Sequence, residues 1–146
     1  MGFKEALETC LKHKYATFQG RASRSEYWYF VLGITLIGVV LYGLLFLGVN
    51  FNTGEISALG YVFIAILVVF YLAVLIPGIA VAVRRLHDRD MSGWWYLGFI
   101  VLSMIPFVGI VASIAMLVIF CLKGTDGDNR FGPDPLRPAA RADIFA

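Results

Sequence analysis

The sequence predicts an all-α polytopic integral membrane protein with three apolar segments and an amphipathic N-terminal helix, on three observations. Hydrophobic residues make up 60% of the 146 and charged ones only 15%, with a mean hydropathy of +0.79, well outside the balance of soluble domains. Uncharged apolar runs occupy residues 27–49, 59–83 and 94–122, and about 20 such residues cross a hydrocarbon core. The polar residues of chemical interest collect at the edges of those runs, in GRASRSEYW (Gly20 to Trp28), RRLHDRDMSGWW (Arg84 to Trp95) and KGTDGDNRFGPDP (Lys123 to Pro135). The length suits one membrane domain over residues 1–146, with residues 1–26 as a charged amphipathic preamble and residues 123–146 as a polar tail.

In the preamble, Phe3, Leu7, Cys10 and Leu11 recur at helical spacing, while Lys4, Glu5, Glu8, Lys12 and His13 fall on the other side. Such a helix either lies on the bilayer or packs on the protein's own segments, and Gly20 breaks it. The first apolar run is too long for the core of a cleavable signal and reads as a retained anchor, opened by Tyr27, Trp28 and Tyr29 at headgroup level. Its Gly33, Gly38, Gly43 and Gly48 recur every five residues, which rotates around the helix and eases close packing in several directions instead of forming one dimerisation stripe. In the second run Pro77 is expected to kink the helix before Arg84 and Arg85, and Gly78 with Ala82 offers a small-residue contact.

The third run has 29 residues with Pro106 to Gly109 near its middle. A single helix of that length at about 1.5 Å per residue overshoots a ~30 Å core. It is either one tilted span, which its length favours because each half alone is short, or a re-entrant hairpin turning at Pro106 to Gly109.

Charge sets the expected orientation. Lys4, Lys12, Lys14, Arg21 and Arg24 outnumber the acids before the first span, Arg84, Arg85 and Arg89 follow the second, and the Asn50 to Ala58 link holds only Glu55. Positive-inside bias therefore places the N-terminus and the Arg84 loop in the cytoplasm. A single third span then sends Lys123, Arg130, Arg137 and Arg141 outside, against the same bias, whereas a hairpin keeps them inside. No unopposed basic patch suits nucleic acid.

Arginine forks grip phosphate bidentately, so Arg21, Arg24, Arg84, Arg85 and Arg89 are the candidate contacts to lipid or phosphate. On a helix Arg21 and Arg24 would share a face. The competing structural role has Asp88 and Asp90 pairing with Arg84, Arg85 or Arg89, and Ser23 or Ser25 capping the first span. His87 beside Asp88 is the weak catalytic candidate, as a base oriented by a carboxylate; Ser92 lies in no GxSxG elbow. The two cysteines, Cys10 and Cys121, show neither CxxC nor metal-ligand spacing. Asp126, Asp128 and Asn129 fail a calcium-loop register, and no metal or cofactor is expected. The spans carry no internal Asp, Glu, Lys, Arg or His, which argues against a self-contained pump.

Phe18, Gly20-Arg21, Arg24-Ser25-Glu26-Tyr27-Trp28, Arg84-Arg85-Leu86-His87-Asp88, Trp94-Trp95, Gly124-Thr125, Gly127 and Asn129-Arg130-Phe131-Gly132-Pro133-Asp134-Pro135 together resemble the bacterial inner-membrane family known as domain of unknown function 805. The resemblance covers about Tyr15 to Pro135 and implies an inner-membrane location; it carries no activity and so no residue roles. The sequence favours a non-enzymatic module binding anionic lipid or a partner membrane protein through membrane-edge arginines, with a homo-oligomer also open. The alternatives are an enzyme acting on a lipid-linked phosphate through the Arg84 to Asp90 loop, and an accessory subunit of a larger membrane complex.

Overall fold

The computed structural model describes residues 1–137; residues 138–146, including Arg141 and Asp143 of the tail, lie outside the described residues. Five α-helices follow one another: α1 (Phe3–Glu8), α2 (Arg24–Leu45), α3 (Ala58–Asp88), α4 (Trp94–Ser103) and α5 (Val108–Cys121). A π-helical turn, Thr9–His13, extends α1, and a 3-10 turn, Phe46–Gly48, extends α2. The all-α membrane class holds, and its packing is that of a lipid-facing molecule. Only 17% and 11% of the most apolar windows of α2 and α3 are buried, while the largest fully buried side chains are Arg84 and Arg85. A soluble core would invert both.

At α1 the open alternatives resolve in favour of self-packing. Leu7 seats on Gly33, Phe3 meets Tyr29 edge-on at 6.0 Å, and Ala6, Thr9 and Cys10 are buried. The Tyr15 hydroxyl then donates to the Ala73 carbonyl at 2.6 Å, tying the preamble to α3.

The five-residue glycine rotation on α2 serves three separate contacts. Gly33 receives Leu7 of α1, Gly38 receives the Tyr71 hydroxyl of α3, and Gly48 meets the backbone of Gly60, where a Cβ on either glycine would collide with the other's main chain. Gly43 touches nothing. The Val49–Ile56 bridge closes the tight link between α2 and α3, and Ser57 caps α3 by accepting from the Gly60 amide at 3.3 Å. α3 runs unbroken through Pro77 for 31 residues, with Phe30 packed near Gly78 in a cluster that includes Val81, Cys10 and Ala22.

The third apolar run folds as a hairpin of two short helices, not the single helix its length favoured. α4 and α5, at 10 and 14 residues, would each extend only about 15–21 Å, short of a ~30 Å core. They fold back on each other. Tyr96 at the start of α4 and Met116, Ile119 and Phe120 near the end of α5 pack on one cluster with Ala82 and Leu86 of α3, so both ends of the hairpin sit at the C-terminal end of α3. Within the turn the amides of Met104, Ile105, Val108 and Gly109 bond to Val101, Leu102, Pro106 and Ile105 carbonyls, and Pro106 has no amide hydrogen. Length could not decide this; the tertiary contacts of the hairpin's two ends did.

Candidate functional site

The C-terminal turns of α3 are where the three motifs meet. Asp90 adopts φ 58, and the amides of Met91 and Asp90 return to Leu86 and His87 carbonyls, the left-handed ending that satisfies two orphan acceptors. Further donors reach the carbonyls of this helix end from a distance. The Ala22 amide donates to Arg84 O at 3.0 Å, Thr125 donates to Asp88 O through its amide at 2.7 Å and its hydroxyl at 3.1 Å, and Asn129 Nδ2 donates to His87 O at 2.8 Å. The first and third motifs therefore cap the helix that carries the second. Gly124 sits so close to the Asp88 carboxylate that any Cβ there would overlap it.

Charge is handled inside this junction. Asp88 accepts from Arg21 Nε at 3.0 Å with one oxygen and from Arg85 with the other. Arg21 spends its remaining donors on the carbonyls of Thr125 (2.6 Å), Gly127 (2.5 Å) and Gly132 (3.4 Å). Arg85 bonds to the Phe120 carbonyl at 3.2 Å, the Leu122 carbonyl and the Ala22 carbonyl at 3.5 Å, so it fastens the end of α5 to α3. Arg84 pairs with Glu26 and approaches the Cys10 sulfur at 3.8 Å; its Nε is buried without a partner. Three buried guanidiniums face two carboxylates, and main-chain carbonyls supply the balance, as a buried charge requires.

The five arginines thus separate. Arg21, Arg84 and Arg85 are buried. Arg24 opens α2 at the surface, one residue after Ser23 caps that helix through the Glu26 amide at 3.2 Å. Arg21 lies in the non-helical strand of chain before α2, so the shared helical face expected for Arg21 and Arg24 does not form. Arg89 is half-buried, donates to the Lys123 carbonyl and keeps a buried, unpartnered Nε. Asp90 pairs with Arg130 at 3.1 Å instead of with its own helix.

His87 and Asp88 are engaged apart. The imidazole stacks on Phe131 at 4.0 Å and 3°, with Nδ1 3.1 Å from the Gly20 carbonyl, while the Asp88 carboxylate faces the two arginines. A carbonyl only accepts, so Nδ1 carries the proton. His87 and Asp88 do not form a dyad. Ser92 lies near His87 on the wall of an apolar groove, without a base bonded to its hydroxyl. Among the described residues no three His, Cys, Asp or Glu side chains gather as a metal site.

Two perturbed groups border the junction. Burial, with Glu26 beside it, pushes the Cys10 thiol up to about 12, so it stays a neutral donor 3.8 Å from Glu26. The amides of Leu136 and Gly127 hold the Asp134 carboxyl below its ordinary value, helped by Arg21 and Arg137. Sequence reading missed Cys10, Gly124, Thr125 and Asn129 as parts of the site. Their signal lay in the third motif's glycines and capping side chains, but nothing local says which helix they cap.

Residues 15–133, from just beyond the N-terminal helix through the first two motifs and most of the third, match the family described as "Protein of unknown function (DUF805)". The chain belongs to that family. Among similar proteins are inner membrane protein YhaH of Escherichia coli K12, 43% identical over 83% of this chain and 88% of its own, and inner membrane protein YhaI of the same strain, 39% identical over 83% and 87%. Uncharacterized protein YiiR is 27% identical over 87% of this chain and 91% of its own. No solved structure matches. The apolar helices here agree with the inner-membrane location that the names of the first two carry, and the chain is a small membrane protein of the same family.

Proposed function

We propose that this DUF805 protein is a non-enzymatic inner-membrane module that holds anionic lipid at its motif-bearing face, through the arginines left outside the buried cluster. The observation that carries the reading is the division of the arginines. Arg21, Arg84 and Arg85 are spent on internal acceptors, whereas neither Arg24 nor the half-buried Arg89 takes part in an ion pair among the described residues. The two are neighbours: Arg24 lines a small polar cleft with Lys123, whose carbonyl receives Arg89. Guanidiniums at headgroup level with unspent donors suit lipid phosphate.

Orientation is part of the proposal. The arginine-bearing motifs and Lys123 gather at one end of the helices, and the opposite link carries Glu55 alone. Positive-inside bias then puts the N-terminus and all three motifs in the cytoplasm, and the hairpin removes the conflict that a single third span would create.

Thermal unfolding in a neutral detergent, with phosphatidylglycerol or phosphatidylcholine added, tests the lipid reading. Phosphatidylglycerol is expected to raise the midpoint selectively, and Arg24→Ala/Arg89→Ala is expected to abolish most of that rise while leaving the lipid-free midpoint within a few degrees. A double variant that keeps the full rise overturns it.

A further inference from the structure

Between α3, α4 and the Phe18–Gln19 segment runs a groove of about 570 Å³ that the arginine cluster does not use. That volume lies within the range of small-ligand sites. It begins at His87 and Ser92 and follows α3 to Ile79, eight residues or ~12 Å along the helix, with Val83, Leu97 and Ile100 as apolar walls. It therefore descends from headgroup level into the hydrocarbon, where an apolar chain is at home.

The polar end of the groove selects a head group. His87 Nδ1 faces the Gly20 carbonyl at 3.1 Å, which fixes the proton on that nitrogen and leaves Nε2 of the neutral ring as an acceptor. The Phe131 stack holds the ring plane. Nε2 has no hydrogen-bond partner among the described residues, and the ring lies on the groove wall beside Ser92 and Gly93. Among the described residues no Asp, Glu, Lys or Arg lines the groove, so none of them offsets the desolvation of a charged head. An acceptor in an uncharged setting asks for an uncharged donor.

We propose that this groove binds a single-chain amphiphile with an uncharged hydroxyl head, the hydroxyl donating to His87 Nε2 beside Ser92 and the chain lying along Val83, Ile79 and Ile100. The site is separate from the Arg24 and Arg89 surface, and either can fail without the other.

A diazirine-bearing dodecanol, photolysed with the full-length protein in phosphatidylcholine nanodiscs and mapped by mass spectrometry, tests it. Labelling is expected to saturate and to fall on the groove residues. Dodecanol is expected to compete about tenfold better than its methyl ether, the scale of one hydrogen bond to a fixed acceptor, and better than dodecanoate. His87→Phe keeps an aromatic ring on Phe131 and is expected to erase the preference for alcohol over ether. Ile79→Phe, which fills the deep end, is expected to remove saturable labelling with the unfolding midpoint unchanged. Labelling spread without saturation over the lipid-facing helices overturns the proposal, as does equal competition by alcohol and ether in the unaltered protein. The unaltered protein and Ile79→Phe decide the matter even if His87→Phe does not fold.

Discussion

Asp88 shows how much a single carboxylate can organise. It receives Arg21 from before α2 and Arg85 from its own helix, and Thr125 caps its carbonyl, so its removal strands two buried guanidiniums. Asp88→Ala is expected to cost about 3–5 kcal/mol, as for other broken buried pairs, whereas Arg24→Ala, at the surface, stays within about 0.5 kcal/mol. Unfolding in detergent measures both; equal stability of the two variants would show that the cluster is not structural. Gly124→Ala forces a methyl into that same carboxylate and is expected to destabilise by about 1–3 kcal/mol, the usual range for overpacking. Cys10 gives a pH signature. Its folded value is raised to about 12, above an ordinary thiol near ~8.5, so its contribution is complete below the ordinary value and is lost as pH rises through about 12. Stability should fall across that alkaline window less steeply in Cys10→Ala than in the unaltered protein. A slope identical in both would sink this assignment.

Elements are set by where small residues let backbones meet and where polar turns cap them. Gly48 against Gly60 brings the α2 and α3 ends together beside the link, and Gly48→Val is expected to separate them, lowering the unfolding midpoint far more than Gly43→Val, which meets open space. In the hairpin, Phe107 holds φ 64 and is exposed to the surroundings, a left-handed conformation that costs a side-chain-bearing residue about 1–2 kcal/mol. Phe107→Gly removes that cost and little packing, so the variant is expected to be as stable as the parent or up to about 1 kcal/mol more so. A large loss would mean that the ring is anchored. The spans and the N-terminal amphipathic helix were legible because hydropathy and period are local properties. The ending of α3 was not: its cap arrives from Ala22, Thr125 and Asn129, remote in sequence.

For the whole molecule the hairpin decides which motifs share a face. With the native cysteines replaced, single cysteines at Asp126 and at Ser25 are expected to react with an impermeant maleimide from the same side of the membrane, and one at Thr53 from the other. Labelling of positions 126 and 53 from one side would require the third run to cross. By itself the sequence determined the class, because 60% hydrophobic residues in long uncharged runs admit only a membrane fold. It also marked the three motifs, since charge is excluded from the runs and must gather at their edges. Only the tertiary structure decided that Arg21, Arg84 and Arg85 are internal fasteners and that the third run turns back. An arginine's role depends on which acceptors reach it, and beside the carboxylates of Glu26 and Asp88 these include main-chain carbonyls up to 111 residues away. Every residue carries such a carbonyl, so no residue type in the sequence announces one as a partner.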